Sequence, residues 1–363
     1  MSGPNECHGI HDMSGVTLRL DGDRWREHLR TVAGATPGIV PVIKGNGYGF
    51  GLRRLAEESA TLGADTIGVG IPSEVGIVRE AFPGDVVILN AWDPSSELAR
   101  DLTADSSVIT TVSRLGDLEL LAARGDRPRV LVEVLTSMQR HGIRPDDLTQ
   151  VAAFLPGVRF EGWTIHLPLH TDGRYAEAER LGHAALSVAP GTLWFSHLPP
   201  EETVAVARQL GGAEGDPVPV RQRVGTRLWL GDKTARSTTA TVLDVHEIKR
   251  GERAGYRQRV CPADGWIVVV AGGTSHGIGM EAPTSAKTIR HRAIAFATGS
   301  LAAAGLALSP YTINGKKRWF LEPPHMQSSQ VFLPHKERPP RIGQEIPVEL
   351  RLTTATVDCV DWT

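Results

Sequence analysis

The chain of 363 residues is long enough for one large domain and a smaller one, and its formal net charge of −2 leaves no electrostatic footprint for nucleic acid. Its three cysteines, Cys7, Cys261 and Cys359, are few and far apart, which points to reduced thiols in a cytoplasmic protein rather than a disulfide framework. The N-terminus has no apolar core, so no secretion signal is expected. The long uncharged run Ala293 to Pro310 is rich in Ala, Gly and Ser and is expected as buried structure, not a membrane span.

Residues 1–15 read as a flexible tail. Cys7, His8, His11 and Asp12 fall there, but nothing downstream has matching CxxC or HxxxH spacing, so no metal site is expected. From residue 38 to about 225, β-branched runs alternate with amphipathic stretches. GIVPVIK, DTIGVG, DVVILN, SSVITT, RVLVEVL, RFEGWTI, TLWFS and PVRQRV are candidate strands. Helix-like segments such as LRRLAEESATLG, SEVGIVREAF, SRLGDLELLAAR and DGRYAEAERLGHAAL lie between them. Eight such repeats predict an α/β fold, a (β/α)8 TIM-type barrel with its site at the carboxyl ends of the strands. A doubly wound open sheet is the alternative, although no GxGxxG follows the first strand. After Leu230 the pattern becomes mostly β, and Asn314-Gly315 between two strand-like runs predicts a type I′ hairpin. The expected division is therefore a barrel domain over residues 16–230 and a C-terminal β-domain over 231–363.

The most informative stretch is PVIKGNGYGFG, Pro41 to Gly51. Lys44 stands where a buried strand stops and a glycine-rich turn begins. A lysine there is costly unless its ammonium is solvated, paired or chemically used. Snorkelling into a polar loop is the bland alternative.

The spacing of Lys44, Tyr48 and the intervening glycines resembles the cofactor-lysine motif of the alanine racemase family, fold type III enzymes that use pyridoxal 5'-phosphate (PLP). The resemblance implies that Lys44 holds PLP covalently and that Tyr48 bonds its phosphate. Barrel first and β-domain second is also that family's architecture, with the N-terminal strand, here Val16 to Leu20, joining the β-domain before a helix from Asp23 to Thr31.

Further matches follow in order. VLVEVLTSMQRHG resembles the family's VHLKVDTGMGRLG, which implies that Arg140 contacts the substrate carboxylate; a guanidinium fork suits that task. Glu133 falls where many members carry a carbamylated lysine, and the resemblance implies that this genetically encoded carboxylate supplies the negative charge that the carbamate supplies there. His166 matches the strand-end histidine, and His170 follows it. Ser196 or His197 stands near the family's phosphate-binding Asn-Ser pair, which this chain lacks. RVGTRLWLG resembles RxGIxxYG. That places Arg223 opposite the pyridine nitrogen and the amides of Gly225 and Thr226 on the phosphate. GERAGYRQR resembles GExVxYGxT, which implies Tyr256 as the base opposite the lysine. A phenol ordinarily titrates near 10, so such a base needs its pKa lowered, which His166 and Arg140 are expected to supply. EPPHMQSSQVFLP places Met326 on the Met-Asp pair near the substrate.

Gln327 stands where the family has Asp, AGGTSHG replaces GYADG, and the chain ends without the segment that carries another phosphate-binding tyrosine. The resemblance implies a cytoplasmic homodimer with shared active sites. It also implies racemisation of a small-molecule amino acid by two bases, Lys44 and Tyr256, and no metal, nucleic acid or membrane is expected. Two alternatives stay open. One is a PLP-dependent aldolase or decarboxylase on the same fold, although the C-terminal HxD or HxC pair and the Gly-rich phosphate loop are not found. The other is a catalytically degenerate protein that binds PLP or an amino acid.

Overall fold

A computed structural model describes residues 5–6, 14–169, 172–211, 216–280 and 307–363. It separates into two compact units. One comprises Arg26–Gly47 and Gly51–Gly231, the other Met1–Trp25, Tyr48–Phe50 and Asp232–Thr363. Most of the expected N-terminal tail, His170 and most of the Ala293 to Pro310 run lie outside the described residues.

The first unit is built on an 8-stranded parallel sheet. After β1 (Asn5–Glu6) and β2 (Val16–Leu20) of the other unit, its strands are β3 (Ile39–Pro41), β4 (Thr66–Val69), β5 (Asp85–Ala91), β6 (Val108–Val112), β7 (Arg129–Val134), β8 (Arg159–His166), β9 (Leu193–Ser196) and β10 (Val220–Val224). β3 pairs with β10, Arg223 facing Val40 in the register. On its other side β3 meets β4 through the parallel Val42–Gly68 bridge and the Ile43 amide on the Gly68 carbonyl (2.7 Å), which brings the sheet round to a near-closed barrel. All eight β-branched runs form strands. They do so because both faces are covered, as in β6, where every residue is buried.

The helices are α1 (Gly22–Gly34), α2 (Leu52–Thr61), α3 (Val75–Arg79), α4 (Glu97–Leu102), α5 (Leu115–Ala122), α6 (Arg174–Leu186), α7 (Pro200–Gln209) and α8 (Thr226–Leu230). Asp21 caps the first, its carboxylate accepting the Arg24 amide at 3.0 Å. Between β7 and β8 the connection is a 3-10 stretch, Pro145–Ala153. Inside the barrel Val40, Val87, Ile109, Leu131 and Trp194 pack together. A larger core lies between strands and helices, centred on Val132, Trp163, Ile165, Phe195 and Leu181. The barrel is thus a filled core and not a pore. Its amino end is closed by ion pairs: Arg129 reaches Asp85 and Glu161 (both 2.7 Å), and Arg221 reaches Asp65 (2.6 Å). That leaves the carboxyl end for chemistry.

The second unit is mostly β. Its strands after β2 are β11 (Arg236–Ile248), β12 (Arg253–Ala254), β13 (Arg259–Val260), β14 (Gly265–Ala271), β15 (Leu308–Ile313), β16 (Lys316–Phe320), β17 (Ser328–Pro334), β18 (Glu345–Pro347) and β19 (Cys359–Trp362). β2 lies between β11 and β19 in a 9-stranded sheet. Asn314 and Gly315 both take positive φ (53° and 73°) between β15 and β16, the conformation a type I′ turn demands. The strand-like stretch GQEIPVELRLTT, residues 343–354, pairs among the described residues over Glu345–Pro347, because Pro347 lacks an amide for the ladder, and Val348 keeps a single bridge to Tyr311. One expectation is corrected. Cys359 is disulfide-bonded, against the reading of three reduced thiols, while Cys261 is free and buried. Among the described residues no helix is long and apolar enough to cross a membrane.

Candidate active site

Lys44 emerges just beyond β3, at the carboxyl end of the barrel. The chain turns at once because Gly45 and Gly47 take φ of 64° and 61°; a side chain at Gly47 would also press a Cβ to 2.8 Å from the Leu52 amide. A residue that sequence reading passed over fixes this turn. Glu74 is buried, and its carboxylate accepts the amides of Gly45 (2.7 Å), Gly70 (2.6 Å) and Ile71 (3.2 Å). One side chain therefore ties the lysine turn to the loop after β4. Lys44 stays open to solvent along part of its length, yet burial first, then Arg140 and Arg223, lower its pKa, while Glu74 opposes them. A neutral amine is thereby favoured, which a nucleophilic lysine needs.

Arg140, in the loop after β7, is exposed and makes no hydrogen bond or ion pair with any described residue. His166 ends β8, and Ser196, its register partner, ends β9. His197 follows with φ 64° and sets its ring edge-on to His166, centroids 5.0 Å apart. Arg223, in β10, is 7% exposed; its Nη2 donates to His166 Nδ1 at 3.4 Å, and its Nε, also buried, has no hydrogen-bond partner among the described residues. A guanidinium only donates, so Nδ1 of His166 accepts. Burial, reinforced by Arg223 and Arg140, then His197 and Lys44, depresses the His166 pKa to about 2, which leaves the ring neutral at any working pH. Burial also lowers Arg223 to about 10, against which Glu133 holds it charged. Glu133 itself is 2% exposed and accepts the Ser113 hydroxyl at 2.7 Å.

Just after Arg223, Gly225 opens α8, its carbonyl accepting the amides of Leu228 (2.9 Å) and Trp229 (3.0 Å). The amides that begin a helix have no acceptor within it, so those at Gly225 and Thr226 are available by geometry to an anion. The barrel mouth thus brings together Lys44, Arg140, His166, His197 and Arg223, an excess of positive charge with one reactive amine.

The other unit carries the remaining candidates. Tyr48 is buried with φ 55° in the 3-10 turn Gly47–Gly49 and groups with that unit. Tyr256, in the turn between β12 and β13, is 84% exposed and Met326 72%. Glu322, just after β16, is 2% exposed and accepts the amides of Tyr256 (3.1 Å) and Arg257 (3.3 Å). His325 Nε2 joins the same carboxylate at 2.6 Å, and its ring lies against that of Tyr256, centroids 4.4 Å apart. The substituted loop AGGTSHG forms a 3-10 turn, Thr274–His276, pinned by His276 Nε2 on Asp358 (3.0 Å). Among the described residues no three His, Cys, Asp or Glu side chains group as a metal site.

A family profile described as "Alanine racemase, N-terminal domain" matches residues 20–189. Over that stretch the chain is similar to the alanine racemase family. It is 27% identical to an alanine racemase of Nitratidesulfovibrio vulgaris (strain Miyazaki F) over 286 residues, 71% of this chain and 74% of that one. With an alanine racemase of Desulfovibrio desulfuricans it is 26% identical over 185 residues, 48% of this chain and only 49% of the relative. The fold is similar to the crystal structure of alanine racemase from Bartonella henselae with covalently bound pyridoxal phosphate. That likeness has a TM-score of 0.70 at 15% identity and covers 96% of this chain and 99% of that one. The biosynthetic alanine racemase from Pseudomonas aeruginosa gives 0.66 at 19%, with 94% and 91% covered. Against the alanine racemase pattern, Lys44, Arg140, His166 and Arg223 converge on one mouth. Glu74 and Glu322 were missed because they act on backbone amides, which leave no motif. An isolated glutamate among buried neighbours was the only signal.

Proposed function

We propose that this protein is a PLP-dependent amino-acid racemase. The observation that carries the reading is the meeting, at the carboxyl end of the barrel, of Lys44, the exposed Arg140 with no ion-pair partner among the described residues, His166 and the buried Arg223. That donor set fits PLP. The buried Nε of Arg223, with no hydrogen-bond partner among the described residues, and the first amides of α8 suit an acceptor or anionic group, and Lys44 offers the amine. Lys44, Tyr48, His166, Ser196, His197, Arg223, Gly225 and Thr226 would hold the cofactor. When bound, PLP supplies an electron sink that makes the Cα–H of an amino acid acidic.

The chain's own residues do the rest. Arg140 holds the substrate carboxylate with its fork of donors and Met326 lines the substrate, so Cα is presented in one orientation. Lys44 Nζ takes or returns the α-proton on one face, and the Tyr256 hydroxyl does so on the other. With the cofactor bound, Arg223 would hold its positive charge beside the ring and so restrain side reactions, which would suit racemisation rather than aldol cleavage or decarboxylation. Glu133 keeps Arg223 charged in its buried position, and neutral His166 accepts its hydrogen bond without adding charge.

We further propose a homodimer in which each site takes Lys44 from one subunit and Tyr256 from its partner. The exposure of Tyr256 and Met326 supports this. Mixing Lys44→Ala with Tyr256→Phe subunits tests it. A mixed dimer has one site lacking both bases and one intact. Random pairing makes about half the dimers mixed, so about a quarter of wild-type activity returns. Activity that stays at the parental level after demonstrated subunit exchange refutes the shared site.

A further inference from the structure

We infer that Glu322 is a positioning residue for Tyr256, acting through the turn that carries it and through His325. This rests on the reading of Tyr256 as the base opposite Lys44. The tyrosine side chain is 84% exposed, so little packing aims it. Its backbone, in contrast, is held from below. The turn is closed by the Gln258 amide on the Gly255 carbonyl (3.1 Å), with Gly255 at φ 73° and Gln258 at φ 48°. The successive amides of Tyr256 and Arg257 point to one buried carboxylate, Glu322. Gly255 is doubly constrained, since a Cβ there would fall 2.1 Å from the Glu322 carboxyl carbon.

The third ligand of the carboxylate is His325, whose ring flanks the tyrosine ring. His325 is itself fixed, its amide on the Ser328 carbonyl (2.9 Å) and its carbonyl taking the Thr274 amide (2.8 Å). The imidazole is therefore a wall that limits rotation of Tyr256, and Glu322 sets the angle of that wall and the height of the turn together. A carboxylate at 2% exposure is costly to bury, and here its partners are the segment that carries the exposed tyrosine and the ring that flanks it. Misplacing a catalytic group by about 1 Å costs on the order of a hundredfold in rate, so such a support has a large kinetic effect.

The test uses the full-length protein loaded with PLP, and compares wild type, Glu322→Ala, Glu322→Gln and Tyr256→Phe. Solvent exchange of the α-proton is read separately from the L- and D-enantiomers of an accepted amino acid. Glu322→Ala is expected to slow the exchange that Tyr256→Phe abolishes by at least about tenfold, while exchange through Lys44 stays within about twofold. Glu322→Gln keeps one oxygen for part of the set and should fall between. A general loss of folding would depress both faces alike, and that result overturns the positioning role. So does unchanged exchange on the Tyr256 face in both variants. Amide hydrogen exchange of Tyr256 and Arg257 gives an arm that needs no turnover. Faster exchange at both in Glu322→Ala supports the anchor, and unchanged protection refutes it. If Tyr256→Phe leaves both faces intact, the reading of Tyr256 as a base fails, while the amide measurement still decides whether Glu322 holds the turn.

Discussion

Glu74→Gln tests whether the lysine turn is set from outside the barrel strand. The native carboxylate accepts three amides, Gly45 on Oε1 and Gly70 and Ile71 on Oε2. Glutamine keeps one acceptor oxygen. Its amide group must then face an N–H on the other side, so at least one charge-assisted bond is lost and two donors oppose each other. Such a bond contributes about 1.5–3 kcal/mol, and Gly45 recovers part of it because it is open to water, so a net loss of about 2 kcal/mol is expected. With that loss the urea midpoint of the barrel unit falls by about 0.5–1 M. Glu74 also raises the pKa of Lys44 against the larger effect of burial. Removing its charge therefore moves the pH dependence of borohydride-trapped PLP labelling at Lys44 to lower pH. Urea unfolding followed by tryptophan fluorescence, with labelling rates across pH, reads both. A variant that unfolds at the wild-type urea concentration and labels with the wild-type pH profile refutes the reasoning.

Lys44→Ala is expected to abolish the visible absorbance of bound PLP and any borohydride-stable label, and a retained label on another lysine contradicts the assignment. Tyr256→Phe should stop solvent exchange of the α-proton from one enantiomer while exchange from the other persists; equal loss on both faces would mean that the tyrosine only shapes the pocket. His166 stays neutral in the fold down to about pH 2, whereas an unfolded histidine gains its proton below about 6.5. Its contribution is therefore fully present above that value and is lost as pH falls toward 2, at no more than about 1.4 kcal/mol per pH unit, and less because the ring is only partly shielded. Urea midpoints of wild type should accordingly fall more steeply than those of His166→Asn between pH 6.5 and 4.5, and parallel curves would contradict a depressed pKa.

The barrel was legible because buried parallel strands have a local signature: GIVPVIK and RVLVEVL are mostly apolar, interrupted only by Lys44 in the first and by Arg129 and Glu133 in the second, and helical periodicity fills the intervals. Lys44, His166 and Arg223 were legible for a related reason. A charged or titratable residue at the end of such a run breaks its pattern at the place where barrels put chemistry. The segment after β7 was harder to read, since Pro145–Ala153 winds as a 3-10 stretch and breaks the helical alternation. In the second unit β19 was invisible in the sequence, because VDCVDW gains strand character only from pairing beside β2. Glu74 and Glu322 were hidden for the same cause. Their partners are backbone amides, and an amide has no residue type to recognise; Gly45 for Glu74, and Tyr256 and Arg257 for Glu322, are also distant in sequence. Residues 281–306, where much of the apolar Ala293 to Pro310 run falls, lie outside this comparison.

The central claim is that this site removes and returns an α-proton on both faces of an amino acid. Incubating the purified protein with PLP and a panel of L-amino acids in deuterated water, then reading α-deuteration together with chirality, tests it most directly. The account predicts deuterium at Cα with appearance of the D-enantiomer for at least one amino acid, and neither outcome with Lys44→Ala. Loss of the side chain or of the carboxylate would make the protein an aldolase or a decarboxylase. The absence of exchange from every amino acid, with PLP bound, would leave a binding protein and contradict the racemase.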